Sequence, residues 1–276
     1  MLSGAYEVHL DVRPLRRPNT KEIVRIPLSK PHLAHALALE WDLLTSAQQA
    51  TRSHLVPLTS LVCRALDIAD DDATDAASIR ASIITSLLRY LDTDTLLCLS
   101  PADDPTDPAV VLNSEGLTLR DVQQRTLDTI SGHLRTHVWP GIQLEPALDG
   151  ESIMPRPQPS GTREHIAAWV ASLESWELAG LERATLAGKG LLGAARLISE
   201  WSEGPAGLHL RQPGSTTPAF SVEDAAKAAS IEVDWQTGRW GEVEDTHDVH
   251  KEDVRRQLGS VVLLVSGTGR NSSSTS

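Results

Sequence analysis

Cysteine, lysine and single-ring aromatics are scarce in this 276-residue chain. Two cysteines, Cys63 and Cys98, are too few for a disulfide framework and suit a reducing compartment. No CxxC or Cys/His cluster is present to hold a structural zinc. Lysine is too sparse for a polybasic membrane patch, and a net charge of −12 with a pI near 5.2 argues against nucleic acid as a partner. The apolar run Val261 to Val265 is too short to cross a bilayer, so no membrane insertion is expected. No hydrophobic signal region is visible, and no Arg/Ser-rich leader precedes the strand-like pattern that begins by Tyr6. A GxSxG elbow is missing. Ala187-Gly188-Lys189-Gly190 lacks the upstream glycine and the Ser/Thr after Lys that a phosphate loop needs, so close helix packing is its simpler reading. Aromatics total 4%, and seven of them are Trp, which makes each Trp worth locating.

What is present reads as a globular chain, 40% hydrophobic and 22% charged, with ample material for a core. Tyr6, Val8 and Leu10 alternate with polar residues, and Ile23, Val24 and Ile26 form a second run. Together they predict a small meander with prolines at edges and turns. Leu33 to Leu44 predicts a helix burying Leu33, Leu37, Trp41 and Leu44, with Pro31 in its first turn and Ser29 as cap. Further helices are expected from Pro57 (stripe Leu58, Leu61, Ala65, Ile68), over Ile79–Leu91 and over Leu119–Val138. Others are expected over Thr162–Leu181 and Leu186–Trp201, then from a Ser221 cap through Ala225, Ala228, Ile231 and Trp235 to a break at Gly238, and over Val249–Leu258. Asp70–Asp72 reads as a solvated loop and Gly150–Gly161 as a linker. The fold class is therefore α+β. A small β-rich domain with one helix over residues 1–55 precedes a mainly helical domain over 56–276, with an irregular insertion at 203–220 and a disordered tail from about 268.

No catalytic set assembles from the sequence, and no cofactor is implied. His247 and Asp248, with Glu244, His250 and Asp253 nearby, offer the runner-up reading of a metal-dependent hydrolase. Their spacings match no metal-ligand motif, and capping with surface solvation is the plainer account. Glu232 borders a small-residue helix face. It suits either a structural partner for an arginine or the charged anchor of a protein-binding groove. Trp41, Trp235 and Trp240 read as core residues.

Several blocks, in order, resemble a known family. They are Tyr6–Asp11 with Arg13-Pro14-Leu15, Ala38-Leu39-Glu40-Trp41-Asp42, Pro57-Leu58-Thr59 with Ala65-Leu66-Asp67, and Leu88-Arg89-Tyr90 with Asp94-Thr95. The last block is Ile231-Glu232 with Gln236, Trp240-Gly241 and His247-Asp248. The chain resembles the ATP synthase mitochondrial assembly factor 2 family from about Tyr6 to Leu258. That resemblance implies a non-enzymatic chaperone, monomeric when free, in the mitochondrial matrix. Its implied partner is the unassembled alpha subunit of the F-type ATP synthase, shielded at the face later given to the beta subunit. By position, Glu232 matches the family's functional acidic residue, with Gln236 and Trp240 beside it as partner-binding residues. Glu40, Trp41, Asp42, Pro57, Gly241, His247 and Asp248 match its structural signature. The chain departs from the family pattern at Val56, at Lys189-Gly190 and in the 203–220 insertion.

Overall fold

The computed structural model describes residues 4–52, 54–74, 77–102, 110–150, 154–208, 220–241 and 247–266. At the N-terminus, β2 (His9–Leu10) pairs antiparallel with β3 (Arg13–Pro14), and an Arg16–Ile23 bridge forms the next hairpin. β1 (Ala5–Glu7) then closes this small meander against β4 (Arg25–Pro27), with Tyr6 opposite Ile26. Val24 and Ile26 are buried while β1 is exposed, so the ribbon covers the core with one face only. Arg17, 4% exposed, pins the ribbon to the helical body through Asp67 (3.1 Å) and Asp70 (2.5 Å), and also pairs with Glu22.

The first helix, α1 (Pro31–Asp42), carries Pro31 in its first turn as expected. Its N-cap is Lys30 rather than Ser29, and that side chain makes no cap bond. The Lys30 ammonium is buried instead. It donates to the Leu264 carbonyl (3.0 Å) and lies 5.4 Å over the Trp176 ring. Leu264 sits in the last turns of α10 (His247–Ser266), where a cation complements the helix dipole. The start of the first helix is thus tied to the end of the last. Leu33 and Leu37 are fully buried, each worth roughly 1.5–3 kcal/mol. Trp41 is half-buried, and the helix ends before Leu44.

α2 (Pro57–Asp72) and α3 (Ser78–Asp92) bury the expected stripes, Leu58, Leu61, Ala65 and Ile68 in one and Ile83, Leu87 and Leu91 in the other. Asp70–Asp72 is not a loop but the last turn of α2. Asp71 accepts the Ile79 amide (2.6 Å) at the start of α3, and Asp72 pairs with Arg80 (2.6 Å). α4 (Leu119–His133) starts with a Thr118/Asp121 capping box and widens into a π-turn over Leu134–Val138. Past that turn Trp139 is fully buried, edge-on to Trp169 with ring centroids 5.4 Å apart. The expected linker is only partly free. Gln158 is buried and brackets Glu145, donating to its carbonyl (2.6 Å) and accepting from its amide (3.0 Å).

The expected helix over 162–181 is two helices, α5 (Ser160–Ser172) and α6 (Ser175–Gly188), because Leu173 and Glu174 are extended and Glu174/Glu177 form a capping box. Similarly, α7 spans only Leu191–Trp201, since Lys189 adopts a left-handed conformation (φ 53°) and Gly190 an extended one. The segment 187–190 is therefore a helix end, not the interior of a packed helix. Beyond it, α8 (Pro205–Leu208) is one turn inside the expected insertion, whose residues 209–219 lie outside the described set, as do those from 267 onward. α9 (Val222–Trp240) begins at the Ser221 cap but runs through Gly238 and stops at Gly241 (φ 88°). α10 extends past Leu258, so that Val261, Leu264 and Val265 are core residues of its last turns.

Helix α6 lies at the centre, packed by α2, α7 and α10. Gly180 explains the close approach. A Cβ there would lie 3.1–3.3 Å from Val265, Ile198 and Val261, tighter than side chains tolerate without shifting. One continuous core runs from Val24 in the ribbon to Val265 in α10.

Candidate partner-binding surface

The two halves of α9 differ. The first buries Ala225, Ala226 and Ala228, small enough to let the helix sit close to the body. Along the second, Thr237 remains buried but Glu232, Gln236, Arg239 and Trp240 are exposed, Trp240 by 72%. Glu232, Gln236 and Trp240 recur every four residues and so form one stripe. Gln236 Nε2 donates to Glu232 Oε1 (3.2 Å), and the Arg239 guanidinium lies 5.4 Å from the Trp240 ring centroid. Among the described residues, no arginine or lysine pairs with Glu232, so the structural ion-pair reading of that residue fails. Trp240 is not a core residue either, and Trp235 is half-buried.

The Glu232 carboxylate acts on the turn beside it. The Cys98 thiol is pushed up, by burial first and then by the negative charges of Asp94 and Glu232. On the neighbouring side of α9, a groove of about 930 Å³ opens towards α4, with Val122, Ile130, Ile231 and Trp235 among its lining. His133 lies in its wall. Burial, then the positive charges of Arg196 and His137, depress its pKa to about 4, so it is neutral at pH 7.

Glu40 and Trp41 join α1 to α2. Glu40 accepts the Leu58 amide (2.7 Å), the Thr59 amide (2.8 Å) and the Thr59 hydroxyl (2.6 Å). Val56, the N-cap residue of α2, has no side-chain acceptor, so the carboxylate of α1 caps α2 in its place. Trp41 Nε1 donates to the same Thr59 hydroxyl (2.8 Å). Asp42 is exposed, Pro57 occupies the first turn of α2, and Gly241 ends α9. Asp248 is exposed in the first turn of α10, while the His247 side chain and Glu244 lie outside the described residues. Among the described residues no three His, Cys, Asp or Glu side chains converge to hold a metal.

Two anchors escaped the sequence. Asp94 has no exposed surface and accepts from the amides of Leu96 (3.0 Å), Leu191 (2.5 Å) and Leu192 (2.8 Å), so it caps both its own turn and α7. Glu177 accepts the Ser202 hydroxyl (2.5 Å) and the Ala206 amide (3.0 Å), fixing the turn after α7. Burial was the missing signal: Asp94 stood out only within the Asp94-Thr95 block, and Glu177 fell inside the helix expected over 162–181.

The sequence profile of the ATP12 chaperone protein family matches residues 2–135. Mitochondrial protein atp12 of Schizosaccharomyces pombe is 32% identical over 266 residues, spanning 95% of this chain and 77% of its own length. The chain belongs to the ATP12 chaperone family. Mitochondrial ATP12 of Saccharomyces cerevisiae is 29% identical over 277 residues, covering 94% of this chain and 78% of its own. Two crystal structures share the fold. ATP12 of Paracoccus denitrificans aligns with a TM-score of 0.62 at 20% identity, over 96% of this chain and 95% of that one. Protein Atu1473 of Agrobacterium tumefaciens gives 0.62 at 22%, over 97% and 81%. The α9 stripe therefore sits on an ATP12 fold that carries it on an exposed helix end.

Proposed function

We infer that this chain is a non-enzymatic chaperone of ATP synthase assembly, working as a monomer in the mitochondrial matrix. Its client is the unassembled alpha subunit of the catalytic head, held at the face that the beta subunit later covers. Family membership supports the chaperone activity, and both fungal relatives are named as mitochondrial proteins. The observation that carries the contact surface is the α9 stripe, a carboxylate at Glu232 with no lysine or arginine partner among the described residues and a largely exposed indole at Trp240. An exposed Trp beside polar groups has the composition of an interface anchor. The acidic surface favours fast encounter with a basic client face more than tight final binding.

Aggregation of a purified ATP synthase alpha subunit, diluted from denaturant, tests this reading by light scattering. Stoichiometric chain should suppress the scattering, and Trp240→Ala should weaken suppression severalfold with no change in melting temperature. Equal scattering with and without the chain would contradict it.

A further inference from the structure

A second cleft, of about 750 Å³, lies between the N-terminal ribbon and the helices α2 and α6. Its wall includes Trp41, Leu61 and Leu186, and Leu186 is 46% exposed although apolar. Arg183 of α6 reaches into this cleft half-buried. Its hydrogen bond there is a single donation from Nη2 to the Ser60 hydroxyl (3.2 Å). Among the described residues, no carboxylate lies within ion-pair distance of it. The acids whose fields reach Arg183 are committed elsewhere. Glu182 holds Arg64 through two bonds of 2.7 Å, and Asp253 holds Arg256 and Gln257. Asp67, also in the cleft wall, is bonded to Arg17 and Asn19.

A half-buried guanidinium without an ion-pair partner carries a desolvation cost, and burial depresses the pKa of Arg183 accordingly. An arriving carboxylate would offset that cost. The volume is that of a side-chain or ligand pocket rather than of one small anion, and the aliphatic wall suits an apolar neighbour of that carboxylate. We propose that this cleft is a peptide site, distinct from the α9 stripe, which takes an acidic side chain flanked by aliphatic residues with Arg183 as its anchor. The bidentate fork of the guanidinium is matched to a carboxylate. The proposal is independent of the α9 reading.

The test is a titration of the full ¹⁵N-labelled chain, followed by NMR, with the blocked peptide Ala-Leu-Leu-Glu-Leu-Ala. The Arg183 Nε–H, the Trp41 indole N–H and the Leu186 amide should shift together. The same peptide with Gln for Glu, and the Arg183→Gln chain with the original peptide, should each bind at least about tenfold more weakly, the scale of one charge-assisted contact. Melting of Arg183→Gln should be no lower than native, because an unpaired cation has been removed. Undiminished binding to Arg183→Gln, shifts elsewhere or none, or a marked fall in melting temperature would overturn the proposal. So would glutarate binding as tightly as the peptide, which would make this a small-anion site.

Discussion

A carboxylate with no exposed surface needs donors around it, and Asp94 has three backbone amides. Burial raises its pKa from 3.8 to about 6, with the three amides opposing, so it is ionised at neutral pH. Because the folded value exceeds the unfolded one, the folded state holds the extra proton between about pH 4 and pH 6. The contribution of Asp94 to stability is therefore largest at low pH and falls as pH rises through that window. Asp94→Ala should destabilise at both pH 4.5 and pH 7, by about 2 kcal/mol more at the lower pH. Urea unfolding at the two pH values measures this, and an equal cost at both would show that burial does not shift the group. Gly190 depends on the same carboxylate, since a Cβ there would stand 2.7 Å from Asp94 Oδ1. Gly190→Ala should cost about 1–3 kcal/mol, checked by the same unfolding curves. Neither effect is legible in the sequence, because the partners lie about a hundred positions apart.

Among the elements, local signals are legible wherever one helix buries one face. The stripes of α2 and α3, and the Ser221 cap of α9, are where periodicity and capping chemistry put them. Such signals are not legible where the chain stays apolar across a break. Leu173-Glu174 and Lys189-Gly190 interrupt continuous helical patterns through capping and a left-handed residue, and hydrophobic period is blind to both. Gly238 misled in the opposite sense, since a glycine inside a helix costs only about 1 kcal/mol and need not end it. The Glu40–Trp41 signature was visible as a pattern, but its purpose was not. It is a clamp in which one helix caps the next through Thr59. Trp41→Arg should remove that bond and wedge a charge against the core, lowering stability by about 2–4 kcal/mol. A soluble variant with native melting would contradict that.

For the whole molecule, the ribbon and helical body share a core and are fastened by Arg17 to α2 and by Lys30 to the end of α10. The first and last elements therefore support each other. That closure leaves the second half of α9 as an exposed edge, where the carboxylate of Glu232 has no lysine or arginine partner among the described residues and the indole of Trp240 is largely exposed. In the sequence Glu232 was legible as a face-edge residue, whereas the exposure of Trp240 was not, because an isolated Trp more often signals core. The central claim is that this edge holds an ATP synthase alpha subunit. The most direct measurement is co-expression of the two proteins, followed by size-exclusion chromatography of native chain and Glu232→Lys. The account predicts a soluble complex with the native chain, and its loss with Glu232→Lys while the variant itself elutes and melts as native. A complex that survives Glu232→Lys, or an alpha subunit left aggregated beside well-folded native chain, would contradict it.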